Sequence, residues 1–496
     1  MKSDSGKKKA VVIGSGVGGA GISALLQRSG FDVLLLERNA YSGGKASTFE
    51  RDGFFYDTGV HYNAQGPNGP LAILSQQVQG DLQWCVKDPY ARLVYGDKAI
   101  DLPQGMRSLK FRYEFATKIL KVRPRNALGI FRAYRKIVGT KTEKDAAPYD
   151  NIPLKDFCDQ YTDDKLFHGY ISWFCMLGLC IPYTEASAGE FMLAMSNYVE
   201  KASVCYPKGG FKAIPEAYIK ALERDGGKVI YENEVKRIVV KDGKAVGVEA
   251  DRFYEADVVV SNAGIQKTLS LVGEENLPQE YVKRMKGLKY SYSAVTIKYL
   301  LDKPVFSKPS IVHYDPDTDL VAAYRDIEAG KVPEDKDLTI WLAIPSNSDP
   351  DLVPPGKQLT LAFTMGGPPE LKNAPLWDKI LDRLDKKILC LHPEMEKHII
   401  RRIKTTPKTS AEIAGRETGD IIGLAQRYDQ VGRNKPSPAT PVKNLYLVGC
   451  SAGGRGIGTE QAGDSALKVS EKIVKDLATQ GSASWVESPI PAPRST

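Results

Sequence analysis

Apolar and polar positions along the chain fall into alternating short runs and amphipathic stretches. Ala10–Gly14 is an unbroken apolar run, the pattern of a parallel strand buried on both faces. Apolar positions at helical spacing predict a helix over Ile22–Arg28, closed by Gly30, and Asp32–Leu36 reads as the next strand. Further on, a helix is expected over Ile214–Asp225, with strands over Lys228–Glu232, Glu255–Ala263 and Thr440–Gly449. A last helix is expected to run to Leu477. Strands alternating with helices predict an α/β chain built on a doubly wound parallel sheet. The longest apolar stretch, Ile171–Met195, is interrupted by Pro182, Glu185 and Glu190. It falls short of the ~20 clean residues of a membrane span.

The turn between the first strand and helix carries chemistry. Gly14-Ser-Gly16-Val-Gly18-Gly19 follows the strand at once, and Glu37 ends the second strand. Gly14 allows a tight turn, Gly16 lets backbone approach a diphosphate, and Gly19 lets helix and strand pack closely. The helix N-terminus favours the anion, and the Glu37 carboxylate can accept both ribose hydroxyls of a dinucleotide. Just past it, Arg38 and the run Gly43-Gly44-Lys45 add a cation and a glycine pair. Gly53-Phe-Phe-Tyr-Asp57-Thr-Gly59-Val-His61-Tyr62 comes next.

At this point the pattern resembles the flavoprotein family of phytoene desaturases, carotenoid isomerases and retinol saturases, which share the amine-oxidase architecture. The match continues through Tyr206-Pro207-Lys208-Gly209-Gly210 and the strand ending at Gly449. It also takes in the loop running from Ser451 through Gly458-Thr459-Glu460-Gln461. The resemblance implies a discontinuous Rossmann-type FAD-binding domain over 1–66, 203–285 and 425–480. An α+β substrate domain over 67–202 and 286–424 would complete it, with 481–496 as a disordered tail. Cofactor contacts are then expected from Gly14, Gly16, Gly18, Gly19, Glu37 and Arg38, and from Gly43, Gly44, Lys45 and Gly59. Val235 would meet the adenine, and Gly449, Gly458 and the backbone N–H groups of Thr459, Glu460 and Gln461 would face the flavin. His61 and Glu460 are the candidate catalytic side chains, and no metal is expected. Arg455 is a candidate clamp for an acidic group, while Cys175 and Cys180 are read as core.

The implied reaction is FAD-dependent desaturation or saturation of a long isoprenoid, carotenoid or retinoid-like molecule, by hydride transfer at flavin N5. The alternatives are a polyene cis/trans isomerase without net redox change, an amine oxidase, in which only Tyr428 stands near the expected aromatic pair, and a non-catalytic binder of prenylated proteins.

Charge adds one feature. Lys and Arg number 68 against 60 Asp and Glu, a net of +8. Residues 101–145 hold 12 Lys/Arg against four acids and so carry that whole excess. Leu128, Phe131 and Val138 recur there at helical spacing, with Arg132 and Lys136 between them. This basic amphipathic segment points to a membrane surface or an acidic partner. Nucleic acid is not expected, since no binding motif accompanies the charge. The seven cysteines form no Cys-x-x-Cys pair, and the N-terminus is polar. Both features suit a cytoplasmic protein, and the basic segment would place it on a membrane surface.

Overall fold

Lys9–Ile13 is the central strand of a five-stranded parallel sheet. The order is Leu445–Leu447, Val258–Ser261, Lys9–Ile13, Asp32–Leu36 and Lys228–Ile230. Alternate side chains leave opposite faces of a strand. Val12, Leu35, Val258 and Val260 therefore pack against the helices Val17–Arg28, Ala213–Arg224 and Gly458–Gln480. Val11, Ile13, Leu36 and Val259 point the other way, onto the helix Ile265–Val272 and the three-stranded sheet Arg237–Lys241, Lys244–Glu249 and Phe253–Glu255. This computed structural model describes residues 6–59, 62–106, 108–200, 203–315, 317–416 and 418–480. His61 and the 481–496 tail lie outside the described residues.

The first helix begins at Val17, directly off the glycine turn, rather than at Ile22. The strand expected over Lys228–Glu232 stops at Ile230, and Glu232 turns the chain at φ 54°.

A second, seven-stranded sheet supports the rest of the chain. Its order is Ile399–Thr405, Ser293–Leu301, Gln358–Gly367, Ile340–Ala343, Ser310–Tyr314, Ala91–Tyr95 and Lys98–Leu102. All its pairings are antiparallel except Ser310–Tyr314 against Ala91–Tyr95. The apolar stretch around 171–195 forms two helices, Lys165–Leu179 and Ala188–Glu200, with Cys180 at a left-handed φ of 54° between them. Among the described residues no helix is long and apolar enough to cross a membrane.

The basic segment folds as Leu109–Glu114, a π-helical turn Phe115–Ile119 and the helix Pro124–Val138. Its packed stripe differs from the expected one. Ile130, Ala133 and Ile137 are buried, whereas Leu128 and Phe131 are 60% and 56% exposed. The helix carries two apolar stripes a third of a turn apart, and tertiary packing takes the one that lacks Leu128 and Phe131.

Candidate functional site

A cavity of about 270 Å³ runs between the glycine turn and the second sheet. Gly14 sits at φ +89°, a conformation side chains rarely adopt, and its N–H donates to the Leu36 carbonyl at 2.8 Å. The helix behind it has Gly16 as its N-cap, with no side-chain cap bond, so its first N–H groups remain for a ligand. Asn262, at the end of the neighbouring strand, fills the space beside the turn. A Cβ on Gly16 would stand 2.9 Å from its Nδ2, and one on Gly19 would stand 1.9 Å from the Gly14 carbonyl.

Glu37 is buried at the tip of the second strand. Its Oε2 accepts from the Ser15 N–H at 2.8 Å and the Ser15 hydroxyl at 2.7 Å, and its Oε1 accepts from the Asn39 N–H at 2.9 Å. Two lone pairs per oxygen leave acceptor capacity for a ribose hydroxyl. Arg38 also lines the cavity, its Nη2 donating to the Glu412 carbonyl at 2.8 Å. Val235 stands nearby on the wall with Glu234 and Leu271.

Gly43, Gly44, Lys45 and Gly59 line the middle of the cavity. The Lys45 ammonium is paired with Asp420, whose carboxylate also accepts from the Gly423 N–H and the Thr418 hydroxyl, each at 2.7 Å. Burial pushes the Asp420 carboxyl up, but Lys45 and Arg416 beside it hold it below the usual carboxylate value. Burial also pushes Lys45 down from the usual lysine value, against the pull of Asp420. The sequence gives Asp420 no local signal, because its partner lies 375 positions away.

Gly458 and Thr459 reach the cavity from the N-terminus of the last helix. Glu460 turns away. Its Oε1 accepts from the Ala64 and Gln65 N–H groups at 2.9 and 2.7 Å, and its Oε2 accepts from the Gln65 side chain at 3.0 Å. These bonds give the Glu460 side chain, a catalytic candidate from the sequence, the task of fixing the 64–65 loop. Gly19, Gly449 and Gln461 are not wall residues: Gly19 and Gly449 serve close packing, and the Glu460 and Gln461 backbone N–H groups donate to the Ile457 carbonyl at 3.0 and 3.5 Å. Arg455 clamps this chain's own acids, Glu190 and Asp150. Cys175 and Cys180 are buried, and Cys180 also touches the cavity wall.

The far end of the cavity is apolar. Tyr62 stacks on Trp341 at 5.6 Å between ring centroids, and Trp341 meets Phe363 at 5.3 Å. Trp341 and Phe363 are register partners on adjacent strands. The Tyr62 hydroxyl donates to the Pro309 carbonyl at 2.7 Å and the Trp341 indole N–H to the Ser310 hydroxyl, so the polar atoms of both rings are engaged. Leu177, Ile421 and Ile457 complete this end. Among the described lining residues the carboxylates are Glu37 and Glu234, both beside Val235 at the opposite end, and no histidine occurs. Tyr428 is not a wall residue; its N–H donates to the Glu185 carbonyl.

The pieces fit an extended dinucleotide. Uncapped N–H groups at the helix start could hold a diphosphate, the Glu37 carboxylate could accept a ribose hydroxyl, and Lys45 would add a cation beyond it.

The profile of the flavin containing amine oxidoreductases matches residues 20–474. The chain is 26% identical to the all-trans-retinol 13,14-reductase of Danio rerio, over 89% of this chain and 82% of that protein. It is 25% identical to the chloroplastic prolycopene isomerase 1 of an Oncidium hybrid cultivar, over 96% of this chain and 85% of that one. Among solved structures, an oxidoreductase from Methanosarcina mazei superposes with a TM-score of 0.72 at 24% identity. That match covers 93% of this chain and all of the other.

Proposed function

The chain belongs to the flavin containing amine oxidoreductase family and is an FAD-dependent oxidoreductase; from that premise we propose that it forms or reduces a carbon–carbon double bond in a linear apolar isoprenoid of carotenoid or retinoid type. The observation that carries this reading is the cavity's far end, where three aromatic rings and branched aliphatic side chains replace ionisable groups. The similarity to a retinol reductase and a prolycopene isomerase supports it. When bound, FAD supplies a hydride acceptor or donor at N5, which asks little acid–base help of side chains when the substrate is a conjugated polyene.

The chain's own residues then have three tasks. The glycine turn, Glu37 and Val235 hold the nucleotide. Lys45, fixed by Asp420, and the helix start at Gly458 and Thr459 place positive potential along the middle of the cavity. Tyr62, Trp341 and Phe363 form an apolar aromatic wall against which a polyene would lie.

We also propose that the exposed Leu109, Tyr113, Leu128 and Phe131, set among the basic side chains of 101–145, rest on an anionic membrane surface from which such a substrate is drawn.

Anaerobic spectroscopy with candidate polyenes tests the first proposal. Bleaching or recovery of the flavin absorbance on adding an isoprenoid polyene, with a matching change in the number of its double bonds, supports redox turnover. Geometric isomerisation that needs reduced enzyme and consumes no electrons replaces it with the isomerase reading. No response to any polyene, together with oxidation of amines, overturns it.

A further inference from the structure

Behind the apolar end of the main cavity lies a second, smaller space of about 30 Å³. It sits between the helices Lys165–Leu179 and Ala188–Glu200 and is walled chiefly by Phe174, Leu179, Phe191, Met195 and Tyr198. The rings are set edge to face, Phe174 against Phe191 at 6.3 Å and against Tyr198 at 5.6 Å between centroids. The space exceeds the ~10–15 Å³ a cavity needs to hold one water, but an ordered water also needs two to four polar partners. The polar side chains at its edge, Glu460 and Gln65, already bond one another and the 64–65 backbone, and the Tyr198 hydroxyl meets that of Tyr90. Its chemistry is that of a dry apolar hole.

Two residues, Gly178 and Ile457, line both spaces. They face each other, since a Cβ on Gly178 would come 3.4 Å from the Ile457 Cδ1. The partition is therefore one flexible side chain over a position without any. Moving that one side chain to another staggered torsion is the change that would join the two spaces. On the far side of the smaller space the aromatic contacts continue outward. Phe174 meets Tyr170 at 6.2 Å, and Tyr170 meets Phe115 of the basic segment at 5.0 Å.

We propose that the smaller space is a subsite for the end of a linear apolar chain whose reacting portion lies in the main cavity, and that Ile457 over Gly178 sets the chain length the enzyme accepts. The proposal rests on the isoprenoid reading above and specifies it further. The occupant is a hydrocarbon terminus, because the partition is a single contact between Gly178 and Ile457 and the polar side chains at the edge beyond it already bond one another and the 64–65 backbone.

The test uses flavin-loaded enzyme and the linear alcohols geraniol, farnesol and geranylgeraniol, which lengthen by one isoprene unit at a time. Binding is read by displacement of a conjugated tetraene fatty acid whose fluorescence rises in apolar surroundings. Burying two more methylenes is worth about tenfold in affinity. The expected result is a ratio of long-chain to short-chain affinity that rises by about tenfold or more in Ile457→Ala and falls by a similar factor in Gly178→Leu. The two variants change the passage in opposite senses, so misfolding of either one leaves the other to decide. Equal shifts for all three alcohols, or no shift in either variant, overturn the subsite while leaving the isoprenoid reading standing. Failure of the tetraene and of every alcohol to bind the unaltered enzyme overturns both.

Discussion

Gly18 and Gly449 meet backbone to backbone: a Cβ on Gly18 would stand 2.8 Å from the Gly449 Cα and 3.0 Å from the Asn262 Oδ1. One belongs to the first helix and the other follows the last strand of the parallel sheet, so two pieces of chain far apart in sequence set the depth of the nucleotide cradle together. Neither partner has a flexible side chain to move aside. Gly18→Ala is therefore expected to push helix and strand apart at a cost of about 1–3 kcal/mol. Flavin content after purification should fall with it. Absorbance ratios and thermal unfolding of the cofactor-free protein check this, and wild-type values in both would show that the contact is slack.

This contact also marks where local sequence stops being informative. The turn from Gly14 to Gly19 and the acid at Glu37 announce themselves because their geometry depends on residues a few positions apart. Helix Ala213–Arg224 lies within one residue of its expected place for the same reason. Asn262, which packs on all four glycines of that turn, has no pattern of its own. Neither does the Tyr62, Trp341 and Phe363 wall, assembled from a loop and two strands of the second sheet. Glu460 misleads in the opposite way. Its place in the first turn of a helix suggests a group aimed at the cofactor, whereas two loop N–H groups 395 and 396 positions away turn it aside. Side-chain direction at a helix start depends on which donors the tertiary fold brings near.

Lys298 provides a prediction in pH. Its ammonium is buried in the strand Ser293–Leu301, donating to the Thr405 hydroxyl at 2.6 Å and the Thr296 hydroxyl at 2.8 Å, and Thr296 lines the cavity. Burial pushes it down to about 7, with the Asp57 carboxylate opposing that shift. Unfolded lysine titrates near ~10.4, so between about 7 and ~10 the unfolded chain holds the extra proton and stability rises with pH. Below that window both states are protonated and the full penalty of burying the charge remains. Lys298→Met should remove this dependence, with its stability relative to wild type greatest at or below neutral pH and shrinking toward pH ~10. Melting temperatures across that range check it, and an identical slope in both proteins rules out Lys298 as the source.

The proposed contact with a membrane surface makes a separate prediction. Leu109 and Tyr113 are 80% and 70% exposed, and with Leu128 and Phe131 they are among the most exposed large apolar side chains described. Each basic side chain near an anionic surface adds about 1 kcal/mol, and the apolar groups add their burial in the interface. Leu128→Glu with Phe131→Glu should cut co-sedimentation with phosphatidylserine-containing vesicles by tenfold or more. Thermal stability should stay nearly unchanged, because neither side chain belongs to the packed stripe of Ile130, Ala133 and Ile137. Binding that disappears equally when the vesicles are neutral would assign the contact to charge; binding that survives the double substitution would move it elsewhere.

Arg455 shows how the last glycine-rich loop is held against the second half of the molecule. Its Nε donates to the Glu190 Oε1 at 3.0 Å and its Nη2 to the Asp150 carboxylate, with side-chain exposures of 10% for the arginine, 1% for Glu190 and 6% for Asp150. Its backbone N–H donates to Asp464 at 2.8 Å, so side chain and main chain anchor the loop at two points. Removing the cation strands two buried carboxylates, and such a break costs about 3–5 kcal/mol. Arg455→Met should therefore unfold at markedly lower denaturant concentration, and the Gly456–Gly458 turn that leads into the cavity should loosen, with faster loss of flavin on dilution. Adding Asp150→Asn and Glu190→Gln to Arg455→Met removes the stranded charges and should recover much of the stability. If it does so while flavin still dissociates quickly, the triad's contribution lies in placing the loop rather than in stabilising the fold; recovery of both would make its role one of charge neutralisation alone.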